Sequence, residues 1–241
     1  MNVQEATTRR LPDLKERHLP ENCRETINTI LKETYGYEQF RNLEIYDDLS
    51  KGKEKLCISQ GQLIENVILE AEKAWKGETQ VDNILLTAPT GSGKSLLFQL
   101  PAIYLGKEYN LLTIVVSPLK ALIVDQVESL QELGYTRVAY ASSDLSPEQK
   151  MEVYRQVREG EIDLFYLSPE LLLSYDIKHF VGERRIGLVV VDEAHTVTTW
   201  GKEFRVDYWF LGRYLNTLKQ TLGYNFPLFA LSYVSPSSIS I

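Results

Sequence analysis

The sequence predicts an α/β fold built on a doubly wound parallel sheet with helices on both faces. Apolar runs of strand type alternate along the chain with segments of helical periodicity, which is the order that produces parallel sheets. The strongest strand signal, Leu188-Val189-Val190-Val191, is continuously apolar and β-branched, as strands buried on both faces are. A glycine-rich stretch from Ala88 to Ser95 follows an apolar run and precedes a helical one, which is a strand–loop–helix unit.

The remaining elements follow in order along the chain. Residues 1 to about 20 are charged and predict a loosely held arm. Residues 42–57 are polar and charged, and Lys51-Gly52-Lys53 within them predicts a turn. Helical spacing of apolar residues predicts helices over 21–34, from 63 to 76, 96–105, 119–133, from 146 onward, and 208–222. Strands are expected at 84–86, 113–116, 138–141, 163–167, 188–191 and 228–231.

Composition restricts the class of protein. The chain has 241 residues, of which 44% are hydrophobic, and this is enough to form a packed core. Lys and Arg number 26 against 33 Asp and Glu, so a net charge of −7 argues against nucleic-acid binding by bulk charge. Cys23 and Cys57 are isolated and have no ligand-like spacing with the three histidines, so no metal site of cysteine and histidine is expected.

Nothing in the sequence resembles a signal peptide or a membrane span. The first 20 residues are polar and basic, and no apolar run approaches the roughly 20 residues that cross a bilayer. We expect a soluble intracellular protein, cytoplasmic or nuclear, without a membrane partner.

The glycine-rich stretch predicts a phosphate-binding loop. It reads Ala88-Pro89-Thr90-Gly91-Ser92-Gly93-Lys94-Ser95, close to the G-x-x-x-x-G-K-[ST] pattern with the small residue Ala88 at its first position. Gly91 and Gly93 allow backbone N–H groups to point at phosphate oxygens beside a helix N-terminus. Lys94 is expected to reach the β- and γ-phosphates, and the Ser95 hydroxyl to bind Mg²⁺. Nucleotide contacts are expected from Thr90, Gly91, Ser92, Gly93, Lys94 and Ser95. An ordinary Gly/Ser turn explains the glycines but not the adjacent Lys and hydroxyl.

An acidic pair follows the strongest strand. Asp192-Glu193-Ala194-His195 lies at the carboxyl end of that strand, which is where ligands bind in doubly wound sheets. Asp192 is expected to hold Mg²⁺ and Glu193 to orient or deprotonate the attacking water. An acidic turn with a solvated histidine is the alternative. Because a phosphate loop accompanies the pair, the sequence predicts an NTPase site that uses ATP and Mg²⁺.

Two features upstream of the loop suggest base recognition. The segment Tyr35-Gly36-Tyr37-Glu38-Gln39-Phe40-Arg41 is aromatic-rich, and it either packs the arm onto the core or offers a platform for a flat ring. Gln62, near the start of a predicted helix, is either a solvated capping residue or an amide that pairs with an adenine edge.

These motifs resemble those of superfamily 2 helicases, and most closely the RecQ-type DNA helicases. Asp192-Glu193-Ala194-His195 is similar to the DEAH signature of that superfamily, whose motor domains are RecA-like. Thr199 to Tyr208 resembles the aromatic-rich loop W-G-x-x-F-R-x-D-Y of the RecQ type. Tyr35 to Arg41 resembles its G-Y-x-x-F-R nucleotide-recognition motif. Ser117-Pro118-Leu119-Lys120-Ala121-Leu122 and Leu167-Ser168-Pro169-Glu170 resemble two further motifs, so that the likeness covers about residues 30 to 232.

The resemblance implies the first motor lobe of an ATP-dependent 3′-to-5′ DNA helicase. It assigns catalytic roles to Lys94, Asp192, Glu193 and His195, and nucleotide contacts to Tyr37, Arg41 and Gln62 as well as the phosphate loop. It assigns contacts with single-stranded DNA to Pro118, Lys120, Ser168, Pro169, Trp200, Phe204 and Arg205. Aromatic faces and positive groups of this kind are what bind single strands in general. An RNA helicase or duplex translocase lobe, and a truncated nucleotide-binding product without turnover, are alternatives.

The chain departs from the family pattern in three places. Gln62 as the adenine-reading residue implies an insertion of roughly fifteen to twenty residues after Arg41. Ser232-Tyr233-Val234 stands where the family has Ser/Thr-Ala-Thr, and the sequence stops at Ile241 without a second RecA-like domain, as if truncated. We therefore expect three parts, namely an arm over 1–30, a helical nucleotide-recognition segment over 31–76, and a first RecA-like domain over 77–241, with a second motor lobe as the missing partner.

Overall fold

The structure is a computed structural model that describes residues 17–46, 55–88, 91–193 and 202–232. Its helices are α1 (Glu21–Tyr35), α2 (Gln60–Trp75), α3 (Leu96–Tyr109), α4 (Lys120–Glu132), α5 (Pro147–Arg158), α6 (Pro169–Ser174), α7 (Ile177–Val181) and α8 (Lys202–Leu222). Its strands are β1 (Asn42–Tyr46), β2 (Lys55–Ser59), β3 (Ile84–Thr87), β4 (Leu112–Val116), β5 (Val138–Ala141), β6 (Leu164–Leu167), β7 (Ile186–Val191) and β8 (Leu228–Ser232).

Six strands form one parallel sheet in the order β3-β8-β7-β4-β6-β5. Strands β4 and β6 are buried along their whole length because helices cover both faces. Successive residues of a strand point to opposite faces, so Val115 packs with α3 and α4 whereas Ile114 and Val116 pack with α5 and α7. The predicted doubly wound α/β fold is confirmed.

The recognition segment contains a β-hairpin that the sequence did not predict. Strands β1 and β2 pair antiparallel from Asn42↔Ser59 outward, and the neighbouring pair Leu43↔Ile58 is buried. The helical nucleotide-recognition segment expected over 31–76 therefore also contains two paired strands, β1 and β2. Apolar residues alternate in both strands, at Leu43 and Ile45 and at Leu56 and Ile58, and this alternation was the signal that could have revealed the two strands.

Helix α1 precedes the sheet, as expected. It ends at Gly36, whose φ of 69° is left-handed and whose N–H bonds back to the carbonyl of Lys32. The helix runs across the predicted boundary at residue 30, and its buried Ile27, Ile30 and Leu31 share one apolar cluster with the sheet. The division into three parts stays a prediction.

The sequence analysis did not predict two short helices or the full length of α8. Helices α6 and α7 follow β6, and α8 begins at Lys202 rather than at Tyr208. Within the described ranges, no helix is long and apolar enough to cross a membrane.

Candidate nucleotide-binding site

The glycine-rich loop connects β3 to α3 at the carboxyl edge of the sheet. Gly91 and Gly93 have φ values of 74° and 76°, a left-handed backbone that other residues adopt only with strain. Pro89 and Thr90 lie outside the described residues. The loop therefore has the backbone freedom that the sequence predicted for a phosphate cradle.

Lys94 and Ser95 stand at the end of the loop, where α3 begins. The Nζ of Lys94 donates to the carbonyl oxygen of Ala88 at 3.4 Å, so the ammonium lies across the mouth of the loop. The carbonyl of Ser95 accepts the N–H groups of Phe98 and Gln99, which places Ser95 at the N-terminus of α3. A cation and a helix N-terminus both favour an anion at this place.

Strand β8 separates the phosphate loop from the acidic pair. Ala88 donates its N–H to the carbonyl of Ser232 at the end of β8, and β8 pairs in turn with β7. Asp192 directly follows β7, and its N–H binds the carbonyl of Val116 on the next strand. The loop and the acids thus occupy the same edge, two strands apart.

Asp192 is buried, with 8% of its surface exposed, and its environment raises its pKa to about 6. Burial is the main cause, and the neighbouring Glu193 carboxylate adds to it, whereas the Glu193 N–H at 3.0 Å and the charge of Lys94 oppose the shift. A divalent cation beside this carboxyl would stabilise its ionised form. The Ser95 hydroxyl and a carboxylate are oxygen ligands of the kind that Mg²⁺ prefers, so the residues present fit that ion.

Glu193 follows with a φ of 52°, a left-handed conformation that is uncommon for a non-glycine residue. Strained backbone of this kind is often found at functional sites, where it orients a side chain. His195, the last residue of the signature, lies outside the described residues.

Gln60 is a site residue that the sequence reasoning missed. It is the first residue of α2 and is 3% exposed. Its N–H donates to the carbonyl of Arg41 at 2.8 Å, and its Oε1 accepts the N–H of Arg41 at 3.1 Å. Its Nε2 lies 3.5 Å from the carbonyl oxygen of Ser92 and 3.4 Å from that of Gly93. Gln60 therefore joins the recognition segment directly to the phosphate loop.

Gln62 occupies a different place from the one expected of an adenine-reading residue. Its Nε2 donates to the carbonyl of Arg17 at 2.9 Å, on the side of α2 that faces the N-terminal arm. Two residues along a helix turn the side chain by about 200°, so Gln60 and Gln62 cannot both face the loop. The structure brings Gln60, rather than Gln62, to the phosphate loop, and base recognition by Gln62 stays a prediction.

Tyr37 and Arg41 form an exposed stack beside this position. The ring of Tyr37, which is 45% exposed, stacks on Tyr35 with centroids 6.4 Å apart and planes at 15°. The guanidinium of Arg41 lies 5.5 Å from the centroid of Tyr37. Both interpretations of the aromatic segment therefore apply, each to a different residue. Tyr35 packs against the core, whereas Tyr37 keeps the exposed face that a platform for a flat ring requires.

Four of the predicted nucleic-acid residues follow β4 and β6, which are neighbours in the sheet. Lys120 is the exposed first residue of α4, and Pro118 is half-buried before it. The Ser168 hydroxyl caps α6 by accepting the Leu171 N–H, and Pro169 is buried, so Pro169 presents little surface to a ligand. Phe204 and Arg205 lie in the first part of α8, residues 202–210, of which only the backbone is described. Trp200 lies outside the described residues.

A buried amide connects these segments. Gln99 on α3 donates from Nε2 to Oε1 of Gln126 on α4 at 2.8 Å and to the hydroxyl of Tyr166 on β6 at 3.2 Å. Its Oε1 accepts the hydroxyl of Tyr35 on α1 at 3.3 Å. A lone glutamine within the otherwise apolar run 96–105 was the signal that could have revealed it.

The fold and this site define a phosphate-loop NTPase domain. The chain belongs to the DEAD/DEAH box helicase family, whose family model matches residues 63–224.

Within that family the chain is similar to RecQ helicases, which confirms the resemblance. It is 30% identical over 187 residues to the ATP-dependent DNA helicase RecQ of Haemophilus influenzae, covering 78% of this chain and 25% of that protein. It is 33% identical over 202 residues to RecQ of Synechocystis sp., covering 83% of this chain and 35% of that one. The chain thus spans about a quarter to a third of these relatives.

A solved structure supports the fold. The helicase MrfA bound to DNA and AMPPNP superposes with a TM-score of 0.57 at 20% identity, over 92% of this chain and 28% of that chain. The RecA-like arrangement expected from the motifs is therefore confirmed.

Proposed function

We propose that the chain is the ATP-binding motor lobe of a RecQ-like, ATP-dependent DNA helicase. In this proposal a second lobe completes the motor and couples ATP hydrolysis to 3′-to-5′ movement on single-stranded DNA. The observation that carries the proposal is the common sheet edge, which holds the phosphate loop, the Asp192–Glu193 pair and the Lys120 segment. The similarity over most of the chain to proteins named ATP-dependent DNA helicase RecQ supports the choice of DNA, and the direction follows from the resemblance of the motifs.

The proposed roles at the reacting end follow from chemistry. Lys94 and the N-terminus of α3 hold the phosphates, while Ser95 and Asp192 hold Mg²⁺. When bound, Mg²⁺ neutralises charge on the phosphate oxygens. Glu193 orients the attacking water and accepts its proton. His195 keeps the role that the resemblance implies.

Base recognition is proposed for Gln60 together with Tyr37 and Arg41. An adenine edge offers one donor and one acceptor, which an amide matches. The Nε2 contacts of Gln60 with Ser92 and Gly93 are long, at 3.5 and 3.4 Å, so exchanging them for a base costs little. Its Oε1 accepts the N–H of Arg41 at 3.1 Å and has a second lone pair for the adenine donor. The exposed ring of Tyr37 and the guanidinium of Arg41 offer flat faces for stacking.

The phosphate site is tested by calorimetric titration of the chain with Mg·ATP. Loss of a charge-assisted contact in Lys94→Ala is expected to weaken binding by about 10- to 100-fold. Lys107→Ala, at the exposed far end of the same helix, is the matched control and should bind like the wild type. Equal affinities of the Lys94 variant and the wild type would refute the assignment.

Turnover and direction are tested in the form that includes the second lobe. Single-stranded DNA should stimulate ATP hydrolysis more than RNA or duplex does, and a 3′-tailed duplex should be unwound in preference to a 5′-tailed one. Glu193→Gln keeps the shape of the side chain but removes the base, so turnover should fall by about 10²–10⁴ while nucleotide binding is kept. Stronger stimulation by RNA would refute the choice of DNA, and preferred unwinding of a 5′-tailed duplex would refute the 3′-to-5′ direction.

A further inference from the structure

The predicted nucleic-acid edge carries an ion pair between loops that follow different strands. The Nζ of Lys120, just after β4, lies 3.0 Å from Oδ1 of Asp144, which follows β5. The same ammonium donates to the hydroxyl of Ser143. Since β6 lies between β4 and β5 in the sheet, the pair spans the carboxyl edge next to Ser168.

Asp144 is surrounded by positive charge although it is exposed. The hydrogen bond from Lys120 lowers the pKa of Asp144, and the Ser143 hydroxyl and the charges of Lys120 and Lys150 act in the same direction. Lys150 belongs to the first turns of α5, which begins at this edge like α4. The carboxylate therefore stays ionised at neutral pH, between two lysines.

Exposed ion pairs contribute little to the stability of a fold, so a structural role does not account well for this one. The side chains of Lys120 and Asp144 are 49% and 73% exposed, and both are accessible to a ligand. The charge-assisted contact of the Lys120 ammonium with a carboxylate oxygen is of the kind that it would make with a non-bridging phosphate oxygen.

We propose that Asp144 occupies, in the free protein, the position on Lys120 that a backbone phosphate of single-stranded DNA takes in the complex. Asp144 is thus an affinity-setting residue of the DNA site, since binding must first displace it. This inference rests on the proposed function, because it takes Lys120 to be a DNA contact.

Two consequences distinguish competition of this kind from a general charge effect. Removing the carboxylate should increase affinity only while Lys120 is present. The affinity gain should also shrink as salt increases, because salt screens exposed charges.

The test is fluorescence anisotropy with a labelled single-stranded oligothymidylate, measured over a series of salt concentrations. It compares the wild-type chain, Asp144→Asn, Lys120→Ala and the double variant. Glu132→Gln, an exposed acid at the opposite end of α4, is the control of equal charge change. Asp144→Asn is expected to bind about 2- to 5-fold more tightly at low salt, which corresponds to the range measured for exposed ion pairs. The plot of the logarithm of the binding constant against the logarithm of the salt concentration should become steeper by up to about 0.7 in Asp144→Asn.

The affinity gain should disappear in the Lys120→Ala background. The inference would be overturned if the gain persisted there, or if Glu132→Gln gave an equal gain. It would also be overturned if the wild type bound the oligonucleotide and Asp144→Asn bound it no more tightly. Each of these results would leave the proposed function intact. Absence of binding by every variant at the lowest salt would instead overturn the DNA-binding part of the proposed function.

Discussion

At the scale of single residues, the position of Gln60 is the clearest instance of a contact that depends on the path of the chain. Strands β1 and β2 pair antiparallel from Asn42 and Ser59 outward, so Gln60 pairs with Arg41 as if the two were neighbours. The amide of Gln60 is thereby held against the carbonyls of Ser92 and Gly93.

Substitution of the two glutamines should separate their roles. Gln60→Ala is expected to weaken ATP binding by about tenfold, the worth of one well-placed hydrogen bond, and to bring the affinities for ATP and GTP together. Gln62→Ala, the matched control, should leave both affinities unchanged. Calorimetry with the two nucleotides decides the matter, and a loss of discrimination in Gln62→Ala alone would restore the sequence-based assignment.

The buried carboxyl of Asp192 should destabilise the nucleotide-free chain at neutral pH. Its pKa is raised from an ordinary 3.8 to about 6, so the folded chain binds this proton more tightly than the unfolded chain does. The destabilisation begins as pH rises through about 4, is complete above about 6, and amounts to on the order of 2–3 kcal/mol.

Asp192→Asn should accordingly raise the melting temperature at pH 7 and have little effect near pH 3. Asp125→Asn, an exposed acid on α4, should change the melting temperature little at either pH. Thermal unfolding of the three proteins followed by circular dichroism provides the measurement. A stabilisation by Asp192→Asn that is equal at both pH values would show that ionisation is not its cause.

At the scale of elements, Gln99 ties together segments that each lead to a functional motif. Helix α3 begins at the phosphate loop, α4 begins at Lys120, β6 leads to Ser168, and α1 leads to Tyr37. One buried amide bonds to Gln126, Tyr166 and Tyr35 on the other three elements. A network of this kind holds the elements in one arrangement only while every member has its partner.

Gln99→Leu should therefore destabilise the fold by about 2–4 kcal/mol, because it leaves polar groups buried without this partner. The exposed Gln131→Leu on α4 is the matched control and should change stability by less than about 0.5 kcal/mol. Urea unfolding of both variants measures the difference. Stability equal to the wild type in Gln99→Leu would mean that the network contributes nothing.

At the scale of the whole molecule, the described residues form one RecA-like lobe, and the chain spans about a quarter to a third of its RecQ relatives. We infer that the second lobe of the proposed motor also supplies an arginine to the ATP site. Such an arginine is worth about 10³–10⁵ in rate in other phosphate-loop enzymes. Translocation further requires two DNA-binding surfaces that move relative to each other.

We expect the 241-residue chain by itself to bind Mg·ATP, hydrolyse it at most feebly, hold single strands weakly and unwind no duplex. The measurement is a strand-separation assay on a 3′-tailed duplex, with Glu193→Gln prepared in parallel to reveal any contaminating helicase. Robust unwinding by the wild-type chain that is absent from the Glu193→Gln preparation would contradict this expectation.

The sequence by itself determined the class of fold, the phosphate loop and the acidic pair. These depend on local properties, namely continuous apolar strands, positive φ at Gly91 and Gly93, and the residues that directly follow a strand. A reader of the sequence can recover them because each signal lies within a few consecutive residues.

Only the tertiary structure decided which amide faces the loop, which residues share the buried network, and which carboxylate contacts Lys120. Gln60 lies 19 residues beyond Arg41 and more than 30 before the loop glycines, while Lys120 and Asp144 are 24 residues apart. Contacts of this kind depend on strand order and on the rotation of a helix about its axis. The periodicity of a sequence shows which face of an element is apolar, but it does not show which residues of distant elements meet.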